Sequence, residues 1–162
     1  MNDFIIREVT MEELPACAET IRQSFGTVAE EFHLTQENCP TNPAFISDEQ
    51  LLTEWEKNTL MIGLFCDEIL AGFCALKQTS PTIFSLERVA VLPDFRHKGY
   101  GRALLQFMKN QAAAKGAEKL TIGIIEENTR LKNWYADLGF LSAGTKIFPH
   151  LPFTVGFMEL FF

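Results

Sequence analysis

Along this chain the spacing of apolar residues switches repeatedly between a period of two and one near 3.6, so short strands and helices alternate. Phe4–Val9 alternates loosely and predicts a first strand. Met11 to about Phe25 has helical spacing, with Thr10 at the capping position and Glu12 and Glu13 in the first turn. Gly26–Ile46, which holds Pro40 and Pro43, lacks a clean period and predicts a long irregular or part-helical segment. Segments of that kind in compact domains often serve function. Ser47-Asp48-Glu49-Gln50 opens a second helix to about Lys57. Thr59–Cys66 and Ile69–Lys77, joined by Asp67-Glu68, predict a β-hairpin, and Ile83–Leu92 predicts the next strand.

Ala103–Lys115 reads as a helix that buries Leu104, Leu105, Phe107, Met108 and Ala112, with Gly116 just past its end. Leu120–Ile125 is a short buried strand and Thr129–Leu138 a helix closed by Gly139. Phe140–Phe148 and Thr154–Phe162 are late strands. The order βααβββαβαββ predicts a mixed α/β fold, an antiparallel front joined to one βαβ crossover. Residues 1–162 fit one domain around one core.

Composition narrows the function classes. The apolar fraction of 47% is ordinary for a globular protein. No apolar run approaches the roughly 20 residues of a membrane span, and Met1-Asn2-Asp3-Phe4 does not open a secretion signal. A cytoplasmic protein without a membrane partner is expected. A net charge of −7, with the basic residues gathered near one loop, argues against nucleic acid. Cys17, Cys39, Cys66 and Cys74 form no CxxC pair, and the three histidines no metal-binding pattern, so neither a disulfide framework nor a metal is expected.

The chemistry concentrates in Arg96-His97-Lys98-Gly99-Tyr100-Gly101-Arg102. This stretch follows an apolar strand and a Pro93-Asp94 breaker and leads into a helix. Such a loop can aim several backbone N–H groups at one anion, and the helix dipole adds positive potential. Gly99 and Gly101 permit close approach to the main chain. Arg96, Lys98 and Arg102 add charge. A P-loop would need Lys-Ser/Thr after the last glycine, where Arg102-Ala103 stands, and a dinucleotide fingerprint would need glycine at Leu104.

The run Val91-Leu92-Pro93-Asp94-Phe95-Arg96-His97-Lys98-Gly99-Tyr100-Gly101-Arg102 instead resembles the acetyl-CoA loop of the GNAT acyltransferase superfamily. Asn128-x-x-Leu131-x-x-Trp134-Tyr135-x-x-Leu138-Gly139-Phe140 resembles that superfamily's second signature, in the expected order and spacing. The resemblance implies a central mixed sheet of about seven strands with four helices, and strands 4 and 5 splayed apart. It implies acetyl-CoA as co-substrate, with its pantetheine arm along the main chain of Val89, Ala90 and Val91. The pyrophosphate would meet the N–H groups of His97, Lys98, Gly99, Tyr100, Gly101 and Arg102 and the fork of Arg96. Asn128 either only caps its helix or also touches the cofactor.

The same resemblance assigns the chemistry. Tyr135 is the candidate acid for the departing thiolate, with a buried aromatic as the structural alternative. Glu87 is the candidate base, acting directly or through water. It interrupts an apolar strand and shares a face with Val89 and Val91 if no bulge intervenes; the alternatives are a salt bridge to Arg88 or another cation, or substrate binding. Glu126 and Glu127 are weaker candidates. A glutamate that some members carry inside the fifth strand is replaced here by Gly123. The Val89 N–H is a candidate oxyanion donor. His33 and His150 fall in loops that can border the acceptor. Phe148–Phe153 either walls the acceptor pocket, covers the core or forms a homodimer contact. The expected activity is direct transfer of acetyl to a primary amine, on a small molecule or a peptide. The alternatives are a non-catalytic acyl-CoA-binding module and an interaction protein.

Overall fold

The computed structural model describes residues 3–162. The strands are β1 (Ile5–Glu8), β2 (Leu60–Cys66), β3 (Ile69–Gln78), β4 (Ile83–Val91), β5 (Lys119–Ile125), β6 (Leu141–Ile147) and β7 (Thr154–Phe161). The helices are α1 (Leu14–Glu31), α2 (Asp48–Glu56), α3 (Tyr100–Ala114) and α4 (Thr129–Asp137). One seven-stranded sheet runs β1-β2-β3-β4-β5-β7-β6. Among the described residues only β4 and β5 pair in parallel, and α3 crosses between them. The mixed α/β class and the seven-strand, four-helix layout expected from the sequence are therefore present.

Two apolar layers sandwich this sheet. On one face Leu104, Leu105 and Met108 of α3 and Tyr135 of α4 pack on Cys74, Leu76, Phe84, Leu86 and Leu120. On the other, Leu14, Cys17, Ala18 and Ile21 of α1 and Leu51 of α2 pack on Met61, Phe73, Ala75 and Ala90. A smaller cluster joins Ala29, Leu34, Cys39 and Ile125, with Leu151 and Phe153 packed against it. Both irregular segments of the sequence thus meet over the C-terminal end of β5. The far edge strand β6 is exposed along its whole length.

Three boundaries differ from the sequence reading. A 3-10 turn at Met11–Glu13 precedes α1, and α1 itself continues to Glu31 instead of stopping near Phe25. Gly26 does not end it: a Cβ at this position would meet nothing within 4 Å, and Ala29, in the next turn, is buried. Tertiary burial outweighs the helix penalty of glycine, about 1 kcal/mol. Helix α3 begins at Tyr100, not Ala103, because Gly99 at φ +83° serves as its N-cap.

The third difference lies in β4. Phe73 pairs with Ala90 and Ala75 with Glu87, so β4 carries one extra residue between them. Arg88 sits there at φ +54°. A bulge reverses the alternation of faces. Glu87 therefore shares the α1–α2 face with its partner Ala75, while Val89 and Val91 pack on the α3–α4 face. The shared face expected for these three residues is corrected by this bulge.

At the sheet's first edge, Arg7 of β1 lies 4.1 Å above the Phe65 ring and grips both carboxylate oxygens of Glu13, at 2.9 and 2.8 Å. Thr10 N–H also donates to Glu13 at 2.8 Å. First the Arg7 hydrogen bond, then the Thr10 N–H, hold the Glu13 pKa down from 4.5 to about 2, against the opposing effect of burial. A lowered folded-state pKa gives stability that is whole above the unfolded value and fades as pH falls toward the folded one. Wild-type protein should lose this contribution between about pH 4.5 and 2. Glu13→Gln should lower stability near neutrality by about 1 kcal/mol and flatten that acid-side slope, as measured by urea unfolding across the pH range.

Candidate active site

β4 and β5 pair only through Ile83–Ser85 and Lys119–Thr121, and beyond these residues they separate. A cleft of about 760 Å³ fills the gap. It is walled by Ser24, Phe25 and Val28 of α1, by the 39–43 segment, by β4 and β5, by the Phe95–Arg102 loop, by α4, and by Leu151 and Phe153. Both irregular segments that the sequence left without motifs thus contribute walls.

At one end lies the turn before α3. His97 at φ +62° and Gly99 at φ +83° flank Lys98. The first amide bonded from this helix is Ala103 N, which donates to Gly99 O at 3.0 Å. Among the described residues, the six N–H groups from His97 to Arg102 have no acceptor in the protein. Left-handed residues in such a run turn successive N–H groups inward to form an anion nest. A Cβ on Gly99 would meet no protein atom within 4 Å, so what calls for glycine here is its φ of +83°. A Cβ on Gly101 would lie 3.1 Å from the Trp134 ring, so α4 packs directly on this turn. This cradle suits a polyanionic group such as a pyrophosphate.

Arg96 does something else with most of its fork. Its Nε donates to Val91 O at 3.2 Å and its Nη1 to Thr27 Oγ1 at 2.9 Å. Its Nη2 donates to Ser24 O at 2.8 Å and to Ser24 Oγ at 3.3 Å. Arg96 thus clamps α1 to the end of β4. Burial, and then the nearby Arg130, pull its pKa down.

Val91 is also engaged. Leu92 N donates to Ala71 O in β3, so the N–H and C=O of Val91 point to the opposite edge. There Val91 N donates to Ser24 Oγ at 3.2 Å. By the same alternation Ala90 bonds toward Phe73, which leaves the carbonyl of Val89 pointing into the gap.

Tyr135 is buried against Trp134 and Phe140, with edge-to-face rings 5.0 and 5.4 Å away. Among the described residues its hydroxyl has no hydrogen-bond partner, yet it is not sealed off, and the residue lines the cleft. Burial, with a smaller effect from Cys74, raises its pKa, so the phenol holds its proton. Asn128 caps α4 through Oδ1, which accepts from Leu131 N at 3.2 Å. Among the described residues its Nδ2 makes no hydrogen bond, and Asn128 lines the cleft.

Glu87 lines the cleft from the α1–α2 side, where Ser85 Oγ donates to it at 3.4 Å. It makes no ion pair with Arg88; Glu54 of α2 takes that guanidinium instead. Glu126 pairs with Lys132 and folds over Gly156, and Glu127 accepts from Thr154 N, so neither lines the cleft. His33 and His150 are likewise outside its walls. Cys39 lines the cleft, and burial raises its pKa. Sequence reasoning missed the second role of Ser24 and Thr27, the packing of Trp134 on Gly101, and the bulge at Arg88. None of these carried a signal in the sequence.

A profile of the acetyltransferase (GNAT) family matches residues 29–140. An uncharacterized N-acetyltransferase from Lactobacillus delbrueckii subsp. lactis, in the pepI 3' region, is 22% identical over 156 residues, which is 91% of this chain and 90% of that protein. The PaiA N-acetyltransferase of Thermoplasma acidophilum, solved in complex with coenzyme A, superposes with a TM-score of 0.84 at 24% identity, covering 99% of both chains. The ribosomal-protein-S18-alanine N-acetyltransferase of Escherichia coli superposes with a TM-score of 0.77 at 20% identity, covering 98% of this chain and 93% of that one.

The Arg96 clamp is testable without a ligand. Arg96→Lys keeps the charge but loses the fork and strands the Ser24 and Val91 carbonyls. It should cost about 2 kcal/mol of stability in denaturant unfolding, close to the loss in Arg96→Ala. A simple surface charge would leave the lysine variant at wild-type stability.

Proposed function

Because this chain belongs to the acetyltransferase (GNAT) family, we propose that it is an acetyl-CoA-dependent N-acetyltransferase that passes acetyl directly to a primary amine. The observation that carries this reading is the run of six unpaired N–H groups at one end of a cleft whose walls hold a free phenol and a free carboxylate. The N–H groups of His97 to Arg102 would take the pyrophosphate, with Asn128 Nδ2 and the Val89 carbonyl along the pantetheine arm. Acetyl-CoA supplies the activated acyl group as a thioester.

Glu87 then takes a proton from the incoming ammonium, which is almost wholly protonated at neutral pH with a pKa of about 10.4. Tyr135 gives its proton to the departing sulfur. The two stand on opposite faces of the opened sheet, in keeping with an amine entering from the α1–α2 side and a thioester lying on the α3–α4 side. A cysteine nucleophile has little support. Burial raises the pKa of Cys74, and of Cys39 within the cleft, and the thiolate is the reactive form. The four free, buried cysteines suit a reducing cytoplasm.

Acetyl-CoA should stabilise the folded protein by about 2.7 kcal/mol at a hundredfold excess over its Kd, read as a rise in Tm. Gly99→Val, which forces a β-branched side chain to φ +83° and so distorts the turn that aims these N–H groups, should abolish most of that rise. An unchanged rise in a folded variant refutes the cradle.

Tyr135→Phe should lower turnover by about 10²–10⁴-fold, measured as CoA release with a reactive amine at saturating acetyl-CoA, with the Tm rise retained. A variant with wild-type turnover at a chemistry-limited step refutes the acid role. Stabilisation by acetyl-CoA with no CoA release from any amine would favour a binding module instead.

A further inference from the structure

Successive side chains of a regular strand point to opposite faces. Glu87 and Arg88 break this rule. At the bulge, where Arg88 takes φ +54°, Glu87 shares the α1–α2 face with Ala75 and the Arg88 guanidinium turns to Glu54 of α2 on that same face. Both line the cleft. A non-glycine residue held in this region is strained, and such positions gather at functional sites.

The guanidinium is only partly used. Glu54 Oε1 accepts from Nη1. Among the described residues Nη2 has no partner and is not sealed, while Nε has none and is sealed. A second hollow of about 350 Å³ begins where Arg88, Thr41, Asn42 and Pro43 line both spaces, and it adds the polar walls Gln50 and Thr53. The acceptor side of the cleft therefore holds a carboxylate and a partly free guanidinium on adjacent residues, with Phe25, Val28 and Phe153 supplying apolar surface.

We propose that Arg88 reads a carboxylate carried next to the acceptor's amine, so that the acceptor is an amino acid or similar zwitterion with an apolar side chain. The inference rests on the N-acetyltransferase reading and on Glu87 facing the ammonium. Arg88 Nη2 donates to the carboxylate in a charge-assisted hydrogen bond. Glu54 holds the other side of the guanidinium in place.

The test compares matched acceptors with the wild-type enzyme: L-leucine against 3-methylbutylamine and L-leucinamide, and L-phenylalanine against 2-phenylethylamine and L-phenylalaninamide. An amide's α-amine, with a pKa of about 8, holds more free base than the amino acid, so basicity alone favours the amide. The amino acids should nonetheless show at least about tenfold higher kcat/KM. Arg88→Met should bring the members of each set together, and Glu54→Gln, which leaves Arg88 intact, should keep the preference. Equal or better turnover of the amines and amides by wild type overturns this inference and leaves the N-acetyltransferase reading standing. A preference that survives Arg88→Met in a folded protein also overturns it. No CoA release with any of the six overturns this inference, while CoA release with a peptide amine would leave the N-acetyltransferase reading standing.

Discussion

Two parallel strands that hold together for three residues and then part set the terms for everything else in this protein. Parting strands expose N–H and C=O groups that the sheet would otherwise satisfy, and each costs about 1–3 kcal/mol if left buried and unmet. Helix α1 meets much of that demand. Ser24 accepts from Val91 N–H, and Arg96 bridges the Val91 carbonyl to Ser24 and Thr27. A helix and one arginine thus stand in for the missing neighbour strand at the mouth of the gap. The gap is a built feature, kept open by specific partners.

This arrangement explains why α1 runs longer than its sequence suggests. Its added turns carry Thr27, which holds the clamp, and Val28 and Ala29, which meet the 32–46 segment and the Leu151–Phe153 loop. The same turns close one side of the cleft. Core packing and site architecture are therefore one set of contacts here, and loosening α1 would disturb both.

What the sequence made legible follows from what each feature demands of its residues. The turn before α3 needs glycine at fixed places, since φ +83° and contact with the Trp134 ring tolerate little else, and that requirement is visible as spacing. The helix faces of α3 and the buried strands were legible through periodicity. The bulge in β4 was not, because an arginine occupies the left-handed position where glycine would have marked it. The use of Arg96 was equally hidden. Its charge beside two glycines reads as a ligand for phosphate, and only the fold brings Ser24, 72 residues away, to its guanidinium. Gly26 misled for the opposite reason: it looks like a helix terminator, and tertiary contacts carry the helix past it.

The two faces of β4 give the site its asymmetry. Phe84 and Leu86 face α3 and α4, so Glu87 faces away from that layer, and the bulge after it returns Val89 and Val91 to it. A carboxylate in the apolar layer that surrounds Tyr135 would be stripped of water and would stand near the very phenol proposed as the acid. On the opposite face Ser85 and the open cleft solvate it. Tyr135 stays buried against Trp134 and Phe140, which favours its neutral, proton-bearing form. Separate environments for a proton acceptor and a proton donor are what acid–base chemistry on one substrate needs, and here the two faces of one opened sheet supply them.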